Sequence, residues 1–176
     1  MDKELFTDLY QAFDDKKQDF LDAGVPPIAF MDRFRGQPLN PEQFEYYSLP
    51  AIFIERNITW AREGQVYNGT LNLGFHLVIE PTWDQSNIAT NKEAGMKYFT
   101  LVDKVREVLD NFRAGYVSAL FRTQDDTIDA GVILYERLGY QCIYYGNTNI
   151  EPAYKDEPYS EQRTLGLTGR RLLKKR

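Results

Sequence analysis

The sequence predicts an α+β fold, in which an antiparallel sheet of about four strands packs against two helices and is followed by an extended C-terminal arm. Two patterns point to it. Between residues 98 and 112 apolar side chains recur at helical spacing, and between residues 71 and 79 they alternate strictly. The strand-like and helix-like segments come in separate runs, which is typical of helices on one face of an antiparallel sheet.

The N-terminal part begins with a predicted amphipathic helix over residues 3–22. Its apolar residues fall at approximately helical spacing, and a charged run at 14–17 interrupts them. Residues 24–50 are rich in proline and aromatic side chains. Because proline fixes φ and lacks an N–H donor, we expect an ordered connection there, with a short strand near residues 28–34.

Two predicted strands follow. Residues 50–60 are β-branched and aromatic, and in residues 70–80 every second side chain is large and apolar, namely Leu71, Leu73, Phe75, Leu77 and Ile79. We therefore expect this second strand to have one buried side and one polar side. Turn signals at 63–64 and 68–69 predict a loop over 61–69, and a polar segment predicts another at 82–89.

Residues 90–112 predict the best-defined helix of the chain. Thr90 and Glu93 have the spacing of a capping box, and Gly115 is a candidate for the residue that ends the helix. Its apolar stripe runs along one face and is expected to pack on the alternating strand. The stripe consists of Tyr98, Leu101, Val102, Val105, Val108, Leu109 and Phe112.

The remaining segments complete the predicted domain. We expect a strand at 116–122, a polar turn at 124–129 and a last strand within 131–145, where Leu138, Tyr140, Cys142 and Tyr144 alternate with more polar positions. Residues 1–145 are then a single α+β domain, and residues 146–176 form a C-terminal extension that acts as an interface arm.

Composition limits the function classes. The net charge of −5 argues against general nucleic-acid binding, and a single cysteine means that the chain forms no internal disulfide. No window reaches the roughly 18 apolar residues of a membrane span, so we expect no membrane partner and a soluble protein made in the cytoplasm.

The residues that could carry chemistry are few. His76, the only histidine, is predicted to be a structural or surface residue, and Cys142 a small core residue. Asp125, Asp126 and Asp129 lack the spacing of a calcium loop, which favours a solvated turn. We predict no enzyme: no catalytic residues, no cofactor and no metal.

Aromatic and basic residues outside the predicted core are candidates for a protein interface, where Tyr, Trp and Arg are enriched. They could equally seal the edges of the core. Residues 170–176 carry five positive charges, whereas the other 169 residues carry a net charge of −10. An acidic neighbouring subunit is the first candidate partner for this tail, and DNA the second. The interface candidates are Trp60, Tyr67, Trp83, Tyr154, Tyr159, Arg170, Arg171, Lys174, Lys175 and Arg176.

The order of elements resembles the phage tail-terminator (tail-completion) family and its relatives at the head–tail connector. More locally, the segments 34–37, 41–42 and 49–55 are similar to a pattern of prophage proteins from Bacteroides-type bacteria, and Lys97, Tyr98, Phe99 and Leu101 match the helix that follows in those proteins. The resemblance covers residues 1–145 in outline.

This resemblance implies a structural virion protein, assembled in the host cytoplasm. Identical subunits would form a ring, sixfold or twelvefold, that contacts connector, portal or tail proteins, and DNA would pass through its lumen without specific binding. Loops 61–69 and 82–89 would contact the rings above or below or line the lumen, and the 146–176 arm would lie across an adjacent subunit.

Two other function classes stay open at this point. A small-molecule-binding or enzymatic α+β domain would require a deep pocket around His76 or Cys142. A nucleic-acid-binding regulator acting through the basic tail would require salt-sensitive binding of DNA by that tail.

Overall fold

The structure is a computed structural model that describes residues 2–40, 46–63, 66–79, 88, 90, 92–129 and 134–145. By its internal contacts the chain divides into two units, Met1–Gly146 and Asn147–Arg176, and every described residue belongs to the first. The interface arm predicted for residues 146–176 lies outside the described residues.

The described residues of the first unit form a mixed α+β domain of three helices and a five-stranded sheet. In chain order the elements are α1 (Asp2–Asp15), α2 (Lys17–Asp22), β1 (Phe30–Arg33), β2 (Ala51–Glu63), β3 (Val66–Val78), α3 (Lys92–Asp110), β4 (Phe121–Asp129) and β5 (Leu134–Tyr144). None of these helices is both long and apolar enough to span a membrane.

The sheet has the strand order β1-β2-β3-β5-β4. The expected antiparallel sheet of about four strands is wrong in its topology, because β1 pairs with β2 in parallel while the other three pairings are antiparallel. The predicted short strand near 28–34 is this β1. The connection of 17 residues from 34 to 50 carries the chain back to the starting end of the sheet, which a parallel pair requires.

The three helices pack on one face of the sheet, called here the helix-covered face. The expected pairing of the helix stripe with Leu71–Ile79 is confirmed, since all of these side chains lie in one apolar cluster together with the alternating residues of β5. Cys142 is part of this core, and burial raises the pKa of its thiol to about 11. The cluster also contains Leu5, Leu9 and Phe13 from α1.

The helices differ from the sequence prediction at two ends. The first predicted helix breaks at Lys16, which brings Phe20 of α2 back onto Phe13 with ring centroids 6.5 Å apart. Gly115 does not end α3, because the helix stops at Asp110 and Gly115 has no positive φ. The Arg113 guanidinium donates instead to the carbonyls of Asp110 and Phe112, and Asn111 Nδ2 donates to the carbonyl of Glu107 in the last turn.

Two predicted loops are strands. Residues 61–63 and 66–69 continue the β2–β3 pairing, so the loop expected over 61–69 is wrong. The strand expected at 116–122 and the turn at 124–129 are also wrong, since β4 spans Phe121–Asp129 and Val117 makes only an isolated bridge to Tyr144. Asp125 and Asp126 are tolerated in this strand because Arg106 Nη2 lies 2.9 Å from the first carboxylate and Arg137 Nη1 3.9 Å from the second.

Candidate functional site

The sheet face opposite the helices, called here the open face, is not uniformly polar as the alternation predicted. At one end a second, smaller apolar cluster covers it, built from Ala51, Phe53, Val78 and Tyr135. Partly buried hydrophobic residues pack against this cluster, and they come from β1, the following connection and β4. They are Phe30, Phe34, Tyr47 and Ile128. The expectation that β3 has a single buried side is therefore wrong at this end.

His76 lies on the open face beside this cluster and is only 3 % exposed. Its ring stacks on Phe34 with centroids 3.8 Å apart and planes 4° apart, and its Nε2 is 3.2 Å from Glu55 Oε2. Within the described residues, the buried Nδ1 has no hydrogen-bond partner. Burial lowers the pKa of His76 although Glu55 opposes that effect, so the imidazole is neutral at pH 7 and has a packing role.

A row of ion pairs crosses the open face next to His76. Arg137 Nη2 is 3.3 Å from Glu55 Oε2, and Arg137 Nη1 is 3.9 Å from Asp126 Oδ2. Burial acts to raise the pKa of the Glu55 carboxyl, but hydrogen bonds from His76 and Arg137 and the charge of Arg137 outweigh burial and lower it. Glu55 is therefore ionised at neutral pH. The row of ion pairs separates the smaller apolar cluster from the rest of the open face.

Beyond this row lies a trough whose floor is made of two glycines. Gly74 and Gly139 are direct partners in the β3–β5 pairing, and the trough encloses a volume of about 250 Å³. A Cβ on Gly74 would lie 3.0 Å from Glu55 Oε2, and one on Gly139 would lie 3.2 Å from Gln124 Cβ. The missing side chains thus leave room for Glu55 Oε2 and Gln124 Cβ over the floor, and both residues line the trough.

On the far side of the trough, none of the side chains that the structure describes on this face is charged. The register places Asn57, Asn72, Gln141 and Phe121 side by side across four strands, and Gln141 Nε2 donates to Asn72 Oδ1 at 2.9 Å. We call this region the charge-free half-face. It comprises Asn57, Thr59, Thr70, Asn72, Phe121, Gln141 and Ile143, all of them exposed. Charged residues make up 27 % of the chain, so their absence here is a local property.

Three apolar side chains stand on or beside the charge-free half-face. Phe121 is 71 % exposed and Ile143 47 % exposed, and Tyr145, which follows β5 in the same alternation, is 49 % exposed. Depletion of charge together with exposed aromatic and aliphatic side chains is the composition of the core of a protein–protein interface. Chemically, this surface can bury apolar area and exchange neutral hydrogen bonds with another chain.

The pairings that nucleophilic or metal chemistry would need are not formed by the described residues. His76 lies on the open face and Cys142 in the core of the other face, so they cannot form a catalytic pair. Asp125 and Asp126 point to opposite faces of β4, as successive strand residues do. In this part of the chain no group of three or more His, Cys, Asp or Glu side chains could hold a metal ion.

The interface residues predicted from sequence are not brought together within the described part of the chain. Trp60 is half exposed, but it lies on the helix-covered face, where it packs edge-on against Tyr144 with centroids 5.8 Å apart. Tyr67 belongs to β3, but its side chain is not among those that the structure describes. Also outside the described residues are Trp83, Tyr154, Tyr159, Arg170, Arg171, Lys174, Lys175, Arg176 and all of the predicted loop 82–89 except residue 88.

The sequence patterns did not indicate Phe121, Ile143 or the charge-free half-face as interface candidates. The available signal was the unbroken absence of charge at Thr70, Asn72 and Gly74, on the side of β3 that was expected to face water. A search of protein-family models finds none that matches this sequence, and a search of curated proteins finds no relative.

Proposed function

We propose that the chain is a structural, non-enzymatic subunit of a homo-oligomeric ring in a phage particle, at the head–tail connector or the tail end. The observation that carries the proposal is the charge-free half-face with Phe121 and Ile143 exposed on it. The order of elements that resembles the tail-terminator family supports the more specific location. The ring is assembled in the host cytoplasm, resides in the virion and needs no cofactor.

Electrostatics favour an identical subunit as the partner of this surface. Two copies that each carry a net charge of −5 repel each other, and burying an unpaired charge costs several kcal/mol. Copies of an acidic chain therefore associate best through surfaces without charge, and the charge-free half-face is such a surface. A basic partner would instead be recognised by an acidic surface.

In a ring each subunit contacts its neighbour head to tail, so it must offer two different patches that complement each other. Such contacts form a closed ring when the rotation that relates neighbouring subunits returns to the first subunit. In our proposal the charge-free half-face is one of them. The second patch includes Trp60 and the 146–176 arm, whose basic end lies against the acidic neighbouring subunit. Connector, portal or tail proteins contact the ring above and below, and DNA passes through the lumen without specific binding.

The trough supplies the observation that favours the ligand-binding alternative. Its volume of about 250 Å³ is just under the range of small-molecule pockets, and its lining is polar, whereas such pockets are mostly apolar. The trough is therefore a weaker basis for a small-molecule function than the half-face is for assembly.

The experiment that tests the proposal is the assembly state of the full chain. Light scattering of the purified protein is expected to give a mass of six or twelve subunits, and electron micrographs are expected to show closed rings. A monomer, or a dimer that does not grow with concentration up to millimolar, would contradict the proposal.

A further inference from the structure

We propose that the trough over Gly74 and Gly139 binds an extended peptide segment of a second copy of this chain. The inference rests on the proposed assembly function and adds to it a defined site, a defined ligand chemistry and a direction of binding across the strands.

The two glycines keep the floor of the trough low. Because Gly74 and Gly139 are cross-strand partners, two neighbouring positions in the middle of the sheet have no side chain. Glycine in a strand is characteristic of sites where a ligand or another backbone approaches. Gly74 and Gly139 are themselves buried beneath Glu55 and Gln124, so the approaching chain would contact those polar side chains first.

The walls carry hydrogen-bonding groups that the domain does not use. In the described part of the chain the side chains of Asn57, Thr123 and Gln124 have no hydrogen-bond partner, and all three line the trough. Carboxamides present a donor and an acceptor side by side, which matches the N–H and C=O of a peptide group. The wall chemistry therefore suits a backbone better than it suits a charged or apolar ligand.

The dimensions fit a short segment. From β2 to β4 the trough crosses three inter-strand spacings of about 4.8 Å, or roughly 14 Å. An extended chain advances about 3.3 Å per residue, so about four residues span the trough at right angles to the strands.

Charge and position indicate a second copy as the source. Among the described residues that line the trough, Glu55 and Arg137 are the only charged ones, and they neutralise each other. The trough also adjoins the row that contains Phe121, so a copy seated on the charge-free half-face reaches the trough without crossing a charged surface.

Photo-crosslinking tests this inference in the full chain. Benzoylphenylalanine replaces Gln124 in one sample and Phe99, which is exposed on α3, in the control, and light chains are mixed with ¹⁵N-labelled chains before irradiation. We expect crosslinked peptides that join light and heavy chains from position 124, with several-fold less product from position 99. The double variant Asn57→Ala with Gln124→Ala should raise the concentration for half-dissociation roughly tenfold, as two neutral hydrogen bonds are lost.

The outcomes separate this inference from the proposed function. An assembled protein that gives no adduct at position 124, or adducts only within one chain, overturns the trough as a binding site and leaves the ring intact. An assembly that dissociates no more easily in the double variant also overturns it. A chain that stays monomeric by light scattering overturns both proposals, because the ligand of the trough is a second copy.

Discussion

At the scale of single residues, His76 shows what a strand pattern can and cannot predict. The alternation correctly assigned it to the side of β3 that faces away from the helices. It could not predict burial, because the groups that enclose the ring, Phe34 and Tyr135, are 42 and 59 residues away in the chain. Glu55 and Arg137, which decide the charge state around it, likewise come from other strands.

The lowered pKa of His76 predicts a pH dependence of stability. An unfolded histidine binds a proton below about pH 6.5, whereas folded His76 does so only at lower pH. The free energy of unfolding should therefore fall between pH 7.5 and 5.5, by at most about 1.4 kcal/mol per pH unit. The ionised Glu55 adds a loss only at lower pH, as its depressed pKa is crossed.

Urea unfolding of the wild type and of His76→Gln checks this expectation. The chain has no other histidine, so the variant should lose most of the slope between pH 7.5 and 5.5 while keeping its own, lower stability at pH 7.5. Parallel slopes for the two proteins would show that His76 titrates alike in the folded and unfolded states.

At the scale of elements, the sequence predicted those whose pattern is local. β3 and α3 carry full amphipathic repeats, and their contact across the helix-covered face was inferred correctly. β4 was not found, because what stabilises the Asp-rich segment 121–129 is a set of arginines on α3, on β5 and within the strand itself, namely Arg106, Arg137 and Arg122. The strand β1 was predicted, but its parallel direction was not, since strand direction follows from the route of the connection.

Leu73→Ala tests the β3–α3 contact. Leu73 is fully buried in the main cluster, so the cavity left by truncation should lower the free energy of unfolding by roughly 2–5 kcal/mol. Leu21→Ala is the matched control, because Leu21 is more than half exposed and should change stability by less than about 0.5 kcal/mol. Equal effects of the two substitutions in chemical denaturation would contradict the packing described here.

At the scale of the whole molecule, the two faces of the sheet differ in how far the chain itself covers them. The helices cover one face, and the smaller apolar cluster, which contains Phe53, covers one end of the open face. The charge-free half-face keeps apolar and amide groups exposed although the rest of the chain is rich in charge. The predicted interface depended on individual aromatic residues, whereas the surface described here emerges only from strand register.

The central claim is that this half-face is where copies of the chain meet, and Phe121→Asp tests it most directly. Phe121 is well exposed, so the new carboxylate leaves the folded domain intact but would be buried and unpaired in the contact, at a cost of several kcal/mol. The matched variant Phe99→Asp adds the same charge on α3. We expect light scattering to show Phe121→Asp as a monomer and Phe99→Asp as the wild-type assembly; a Phe121→Asp protein with the wild-type assembled mass would contradict the claim.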